Sequence, residues 1–371
     1  MRILPRKERR KMTEKLTEIQ KIDKNMIFET SIKDEGVKFY NVRQAPFDIY
    51  GLVETEEGRF HRLPEDVAKA TNSGVASLNY HTAGGRVRFT TDSQYVGIHV
   101  EMTSLHLMPH MAPTGSSGFD LYVNDTFYGV YKPPVDITKK EFEGVVRFPT
   151  KKMREITINF PLYNDVKDLF IALDGESKLE GGAKYKNDKP VIFYGSSITQ
   201  GGCASRPGNS YQSIISRNMN LDYVNLGFSG SGRAEDVINE YMASLPMCMF
   251  VSDYDHNAPN AEHLEKTHYK LYKTIREKHP DIPYIMISRP DVKLHRSAAV
   301  KCRFIIEDSY RKALASGDKK VYYIDGEGFF RGPFEDACTV DGCHPTDLGF
   351  TLMADAIERV MTRAFHDEET L

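Results

Sequence analysis

Tryptophan is missing from all 371 residues, so a stacking platform for a sugar ring falls to the 20 tyrosines and 20 phenylalanines. Cysteine is sparse: Cys203, Cys248, Cys302, Cys338 and Cys343 are scattered and odd in number, with no CxxC pair. That excludes a disulfide framework and a zinc ribbon and predicts reduced thiols, leaving open only whether Cys338 and Cys343 ever pair. Positive charge is not in excess either. With 49 basic against 52 acidic residues and a formal net charge of -3, there is no global field to hold a phosphate backbone, and nucleic acid is not expected as a partner. No run of 18 apolar residues occurs, so no membrane-spanning helix is expected. The basic opening MRILPRKERRKMTEKLTEIQK lacks the apolar core of a secretory signal, and Glu8, Glu14 and Glu18 dilute its charge. It reads as a solvated terminal helix on a cytoplasmic protein.

What is present has the composition of an ordinary globular chain, 40% apolar and 27% charged, and its length suggests two domains. From about Gly36 to Leu173 short alternating or β-branched runs, among them RVRFTT, YVGIHVEM, FDLYVND, EITINFP and DLFIAL, are separated by turn residues. This spacing predicts an all-β sandwich, with LPEDVAKATN as its one short helical segment. The polar, glycine-containing DGESKLEGGAKYKNDK reads as a connection, placing a boundary near residue 185. The expected organisation is an N-terminal arm to residue 30, a β domain over 31–185 and a second domain over 186–371. In that second part apolar five-residue runs, at 190–195, 222–226, 247–252, 283–288 and 321–325, alternate with amphipathic segments at 208–219, 234–244, 260–279, 297–315 and 346–364. Such alternation predicts a parallel sheet with helices on both faces and a ligand site at the carboxyl ends of its strands.

Those ends carry polar residues: Gly195-Ser196-Ser197-Ile198-Thr199 after the first strand, Gly227-Phe228-Ser229-Gly230-Ser231 after the second, and Asp253-Tyr254-Asp255-His256-Asn257 after the third. Asp341-Gly342-Cys343-His344-Pro345 precedes the final helix. Singly, a serine there is most often a helix cap, a glycine a turn residue and an asparagine an Asx turn. Together they supply an acyl-transfer site. Serine needs a base, which His344 can be; Asp341 can orient the imidazole. The oxyanion needs donors, available from the backbone of the serine and of Gly230 and from the amide of Asn257.

In order and spacing these blocks resemble the SGNH (GDSL-like) hydrolases, over roughly residues 188 to 364. GFDLYVND at 118–125 is similar to the β-rich GxDLY-type domain that precedes some of them. The resemblance implies a flavodoxin-like three-layer α/β domain behind a jelly-roll-like β-sandwich, with Ser197, His344 and Asp341 as catalytic triad and Ser197, Gly230 and Asn257 as oxyanion hole. Ser196 stands where the family has aspartate, and Asp255 and Ala258 stand where its third block has glycine and aspartate. Register with Gly195 selects Ser197 as nucleophile and leaves Ser196 to the turn.

The small residues Gly201, Gly202, Ala204 and Gly208 near the serine, and the lack of an apolar lid, favour a short acyl group. The expected activity is hydrolysis of O-acetyl esters of small carbohydrates, without metal or cofactor. A lipase or thioesterase, and a non-catalytic carbohydrate-binding protein, are the rival readings; self-association is left open. Tyr254, His106 and Arg206 are the candidate substrate contacts. His106 and His110 in TSLHLMPHMAP read either as packing or surface residues, or as part of a loop that overhangs the site. Asp253, Asp255, His256 and His263 are clustered in sequence, but acyl transfer needs no metal and none is expected there.

Overall fold

The computed structural model describes residues 30–53, 58–290 and 296–369, so the expected N-terminal helix lies outside the described residues. Ten strands come first: β1 (Val37–Asn41), β2 (Asp48–Tyr50), β3 (Arg86–Thr91), β4 (Tyr95–Glu101), β5 (Phe119–Val123), β6 (Thr126–Tyr131), β7 (Glu141–Arg147), β8 (Arg154–Asn159), β9 (Asp168–Asp174) and β10 (Leu179–Gly181). They form two antiparallel sheets, one ordered β1, β9, β4, β7 and the other β10, β3, β8, β5, β6 with β2 also paired to β3. Alternation makes the sandwich. Val96, Ile98 and Val100 of β4 share one buried cluster with Ile156 and Ile158 of β8 from the other sheet. The three-residue strands β2 and β10 are too short to show a period and were not expected. The helical segment also continues further than expected: α1 (Glu65–Thr71) is followed by α2 (Ser73–Leu78), started by Asn72, whose side chain accepts the Val75 N–H at 2.8 Å. A single turn, α3 (Pro113–Ser116), precedes β5.

The rest of the chain alternates as expected. Strands β11 (Val191–Gly195), β12 (Tyr223–Gly227), β13 (Met249–Asp253), β14 (Tyr284–Ile287) and β15 (Val321–Ile324) form one parallel sheet in the order β12, β11, β13, β14, β15. Between and after them run α4 (Ser197–Gln200), α5 (Tyr211–Met219), α6 (Asp236–Ser244), α7 (Ala261–Lys278), α8 (Arg296–Ala315) and α9 (Asp347–Glu369). Val191 and Phe193 pack on one face against Tyr211, Ile215, Phe350, Met353 and Ile357. Ile192 and Tyr194 pack on the other against Ile238, Met242, Leu264, Leu271, Ile275 and Ile306. Burial on both faces, about 1.5–3 kcal/mol for each large apolar side chain, explains why β11 reads as an unbroken apolar run. The chain leaves β11 toward β12 on one side and returns to β13 on the other, so the crevice at the carboxyl end of β11 is the topological switch point. Among the described residues no helix is long and apolar enough to cross a membrane.

Two buried arginines join the β-rich part to the parallel sheet. Strand β12 is an edge, and its unpaired carbonyls would invite pairing with another chain. Arg86 of β3 donates to Tyr223 O at 3.1 Å, while Arg62 donates to Asn225 O at 3.1 Å and Gly227 O at 2.6 Å. Alternate carbonyls of the edge strand are thus capped by guanidinium groups. Arg86 also pairs with Asp222, and its Nε–H donates to Tyr185 Oη at 2.7 Å. Burial pulls the Arg62 guanidinium down to about 9, which still leaves it charged at neutral pH.

Candidate active site

Strand β11 ends at Gly195 because nothing larger fits: a Cβ there would collide with the Asp253 carbonyl and the Thr199 hydroxyl. Ser196 then caps the single turn α4. Its N–H donates to Asp253 O at 3.1 Å and its hydroxyl accepts the Ile198 N–H at 3.2 Å, which commits it to the turn. Ser197 is the first residue of that turn, and its Oγ lies 2.9 Å from His344 Nε2. The other ring nitrogen of His344, Nδ1, lies 2.8 Å from Asp341 Oδ2. The second oxygen of Asp341 accepts the backbone N–H groups of Cys343 at 3.0 Å and of His344 at 2.8 Å. Burial works against the charge of Asp341, but the bonds from His344 and from these two N–H groups outweigh it and hold the carboxyl at about 2. The turn is closed by Val340 N–H on His344 O at 2.9 Å.

The residues expected to supply the three oxyanion donors follow β11, β12 and β13, which are neighbours in the parallel sheet. The backbone N–H groups of Ser197 and Gly230 have no partner among the described residues. Gly230 has φ +66°, a left-handed conformation that favours glycine, and a Cβ on it would point into open space. The reason for glycine is thus its backbone, not a clash within the protein. Asn257 sits in a short turn after β13, and its Nδ2 donates to Phe228 O at 2.8 Å. One of its two N–H bonds therefore fixes the loop bearing Gly230, and the other is uncommitted.

Of the three residues expected to contact substrate, the structure places two elsewhere. Tyr254 is 1% exposed, flanked by Tyr194 and His268, with its hydroxyl bonded to Thr267 Oγ1 at 2.9 Å. It is a core residue. Arg206 lies in the seam between the two parts of the chain, donating to Tyr122 Oη at 2.5 Å and stacking 3.8 Å over Phe127. His106 is exposed, its Nε2 3.0 Å from Ser104 Oγ. The neighbouring His110 is the one that reaches the site, with its ring centroid 5.5 Å from that of His344. The loop overhangs the site because it is latched there: Thr114 Oγ1 donates to Ser205 O at 2.5 Å, and Gly115 meets the Ala204 carbonyl so closely that no side chain fits.

Cys203, expected only as one of five scattered thiols, was not among the candidate site residues, yet its sulfur lies among these groups. Burial, with Asp341 nearby, pushes its thiol up to about 12, so it remains neutral and does not compete with Ser197 as a nucleophile. Asp253 and Asp255 face each other's charge in the interior, and burial raises the Asp253 carboxyl well above the usual range. His263 turns away, 2.8 Å from Arg233 O. The grouping of metal-ligating side chains among the described residues is instead His110, Cys203 and His344.

The parallel sheet, packed by helices on both faces and carrying polar groups at its switch point, has the three-layer architecture in which ligands bind at the strand ends. Residues 188–362 match the GDSL-like lipase/acylhydrolase family, and residues 37–179 match the N-terminus of the SGNH-hydrolase-type esterases. The chain belongs to this GDSL-like (SGNH) esterase family. No curated protein matches it. Among solved structures it is similar to a protein from Bacteroides ovatus described as a GDSL-like lipase, with 26% identity, TM-score 0.80, and coverage of 89% of this chain and 98% of that one. It is similar in fold to the salicylyl-acyltransferase SsfX3 of a tetracycline biosynthetic pathway, with 18% identity, TM-score 0.73, and coverage of 89% and 98%. It also shares its fold with an acetyl xylan esterase from the rumen bacterium Butyrivibrio proteoclasticus, with 13% identity, TM-score 0.58, and coverage of 89% and 99%.

Proposed function

We propose that the chain removes short acyl groups, O-acetyl above all, from hydroxyls of small carbohydrates, with Ser197 as nucleophile, His344 as general base and Asp341 as its orienting carboxylate. The observation that carries this reading is the continuous relay of 2.9 Å from Ser197 to His344 and 2.8 Å from His344 to Asp341. His344 takes the Ser197 proton on Nε2 as Oγ attacks the ester carbon, and the Nδ1–H bond to the Asp341 carboxylate stabilises the imidazolium. The oxyanion is met by the N–H groups of Ser197 and Gly230 and by Asn257. His344 then gives its proton to the departing sugar oxygen, and water attacks the acyl-enzyme with His344 again as base, releasing the acid and returning the proton to Ser197. The acetyl preference is supported by the glycines and alanine around the serine and by the fold shared with an acetyl xylan esterase.

A panel of nitrophenyl esters from acetyl to octanoyl, with acetate release from acetylated oligosaccharides, tests the reading. It expects the highest kcat/KM on acetyl and measurable acetate from at least one sugar ester. Preference for octanoyl, or activity confined to acyl thioesters, would overturn it. The shared fold of SsfX3, an acyltransferase, favours one further measurement: whether an added alcohol captures the acyl group in competition with water.

A further inference from the structure

We propose that His110, Cys203 and His344 form a binding site for Zn²⁺ in which the metal occupies the base nitrogen and closes the active site reversibly. One ligand atom from each of the three residues lies within 4.8 Å of the other two. A tetrahedral zinc with bonds of about 2.0–2.3 Å holds its ligand atoms about 3.4 Å apart. The approach still required is small, and the His110 side chain is exposed. Two imidazoles and one thiol are a ligand set that zinc accepts, leaving a fourth position for water.

Two features mark Cys203 as more than a residue that happens to be near. It follows Gly201 and Gly202 but carries φ +75°, a left-handed conformation rare for a residue with a side chain. It is also 7% exposed and lies between the chain of the serine turn and the loop from the β-rich part. The three ligands thus come from three separate segments: the overhanging loop, the loop after α4, and the turn before α9.

His344 Nδ1 faces Asp341, so the nitrogen offered to a metal is Nε2, the same atom that lies 2.9 Å from Ser197 Oγ. Binding forms two Zn–N bonds and one Zn–S bond, displaces metal-bound water, and releases the Cys203 thiol proton to solvent. The hydrogen bond from Ser197 is lost, and with it the base. The Asp341 carboxylate, bonded to the other nitrogen, is a second-sphere partner that increases the basicity of the ligand. Metal binding stands by itself; the inhibition rests on the proposed role of His344.

The test uses the full chain with cobalt chloride as spectroscopic probe and zinc chloride as inhibitor. Co²⁺ should give a thiolate-to-metal charge-transfer band at a stoichiometry of one, retained in Ser197→Ala and Cys343→Ser but lost in Cys203→Ser and weakened in His110→Ala. Zn²⁺ should abolish hydrolysis of nitrophenyl acetate, EDTA should restore it, and His110→Ala and Cys203→Ser should each raise the inhibitory concentration about tenfold or more relative to their own metal-free rates. A band lost in Cys343→Ser but kept in Cys203→Ser, or zinc inhibition undiminished in both ligand variants, would overturn the proposal. A cobalt band in a chain that hydrolyses no ester would support the metal site and refute the catalytic reading instead.

Discussion

Replacing Asp341 by asparagine separates orientation from charge. The two carboxylate oxygens divide their work: Oδ1 holds the backbone N–H groups of Cys343 and His344, and Oδ2 faces Nδ1 of the imidazole at 2.8 Å. Asparagine will keep its carbonyl toward the two backbone donors, since leaving them unpaired costs about 1–3 kcal/mol each. Its NH₂ then points at Nδ1. An imidazole facing a donor places its own proton on Nε2, where it can no longer accept the proton of Ser197. The expected loss is about 10²–10⁴ in kcat with little change in KM, equivalent to about 3–5 kcal/mol of barrier. Nitrophenyl acetate kinetics with thermal unfolding as control will measure it. Stability carries its own signature. The Asp341 carboxyl is held at about 2 in the fold against about 3.9 in an unfolded chain, so its contribution is complete above pH 4 and is lost as pH falls toward 2. With the side chain 40% exposed, screening reduces that contribution to about 1 kcal/mol, and the variant should lack this part of the acid loss. A variant with wild-type kcat would refute the reasoning outright, since His344 would then be oriented by something else.

Ser197→Ala should lower kcat by about 10⁴ or more and abolish labelling by a serine-reactive phosphonate. Ser196→Ala should cost only a helix cap, about 1 kcal/mol of stability, with labelling kept; phosphonate found on Ser196 would reverse the assignment. Asn257→Ala should cost about 10² in kcat at nearly constant KM, because its contact strengthens in the transition state; unchanged turnover would show that the amide serves only the Phe228 carbonyl. Arg62→Ala should destabilise the fold by about 3–5 kcal/mol in urea titration, since the carbonyls of Leu78, Asn225 and Gly227 lose their buried donor together; a loss below about 1 kcal/mol would show that the edge of β12 needs no cap.

The parallel sheet was legible because its strands are apolar runs buried on both faces and each connection holds one amphipathic helix of two turns or more, so apolar runs and their spacing carry the topology. That logic marks the end of β11 as a place for polar residues but does not choose between Ser196 and Ser197; the choice came from register with Gly195 in the family's motif. Tyr254 shows where that logic fails. A residue just past a strand end lies either above the sheet or beneath it, and the one-residue difference that turns Tyr254 inward toward His268 leaves no mark in composition.

The seam was illegible for a related reason. In RVRFTT the alternation of arginine with valine and phenylalanine reads as one solvated and one buried face, yet Arg86 and Arg88 are 1% and 3% exposed. The polar face of β3 is covered by Tyr185, Asp222 and Tyr223, which are far from it in the chain. Alternation reports that two faces differ; it does not report what covers the polar one. For His110 the sequence left two readings open, a packing or surface residue and part of an overhanging loop, since the choice depends on Gly115 fitting against Ala204, a contact of the β-rich part with the serine loop. The arginines that cap β12 and the loop that brings His110 over His344 belong to one docking arrangement. The β-rich part therefore does more than precede the esterase domain: it closes the open edge of the sheet and forms one wall of the site at its switch point.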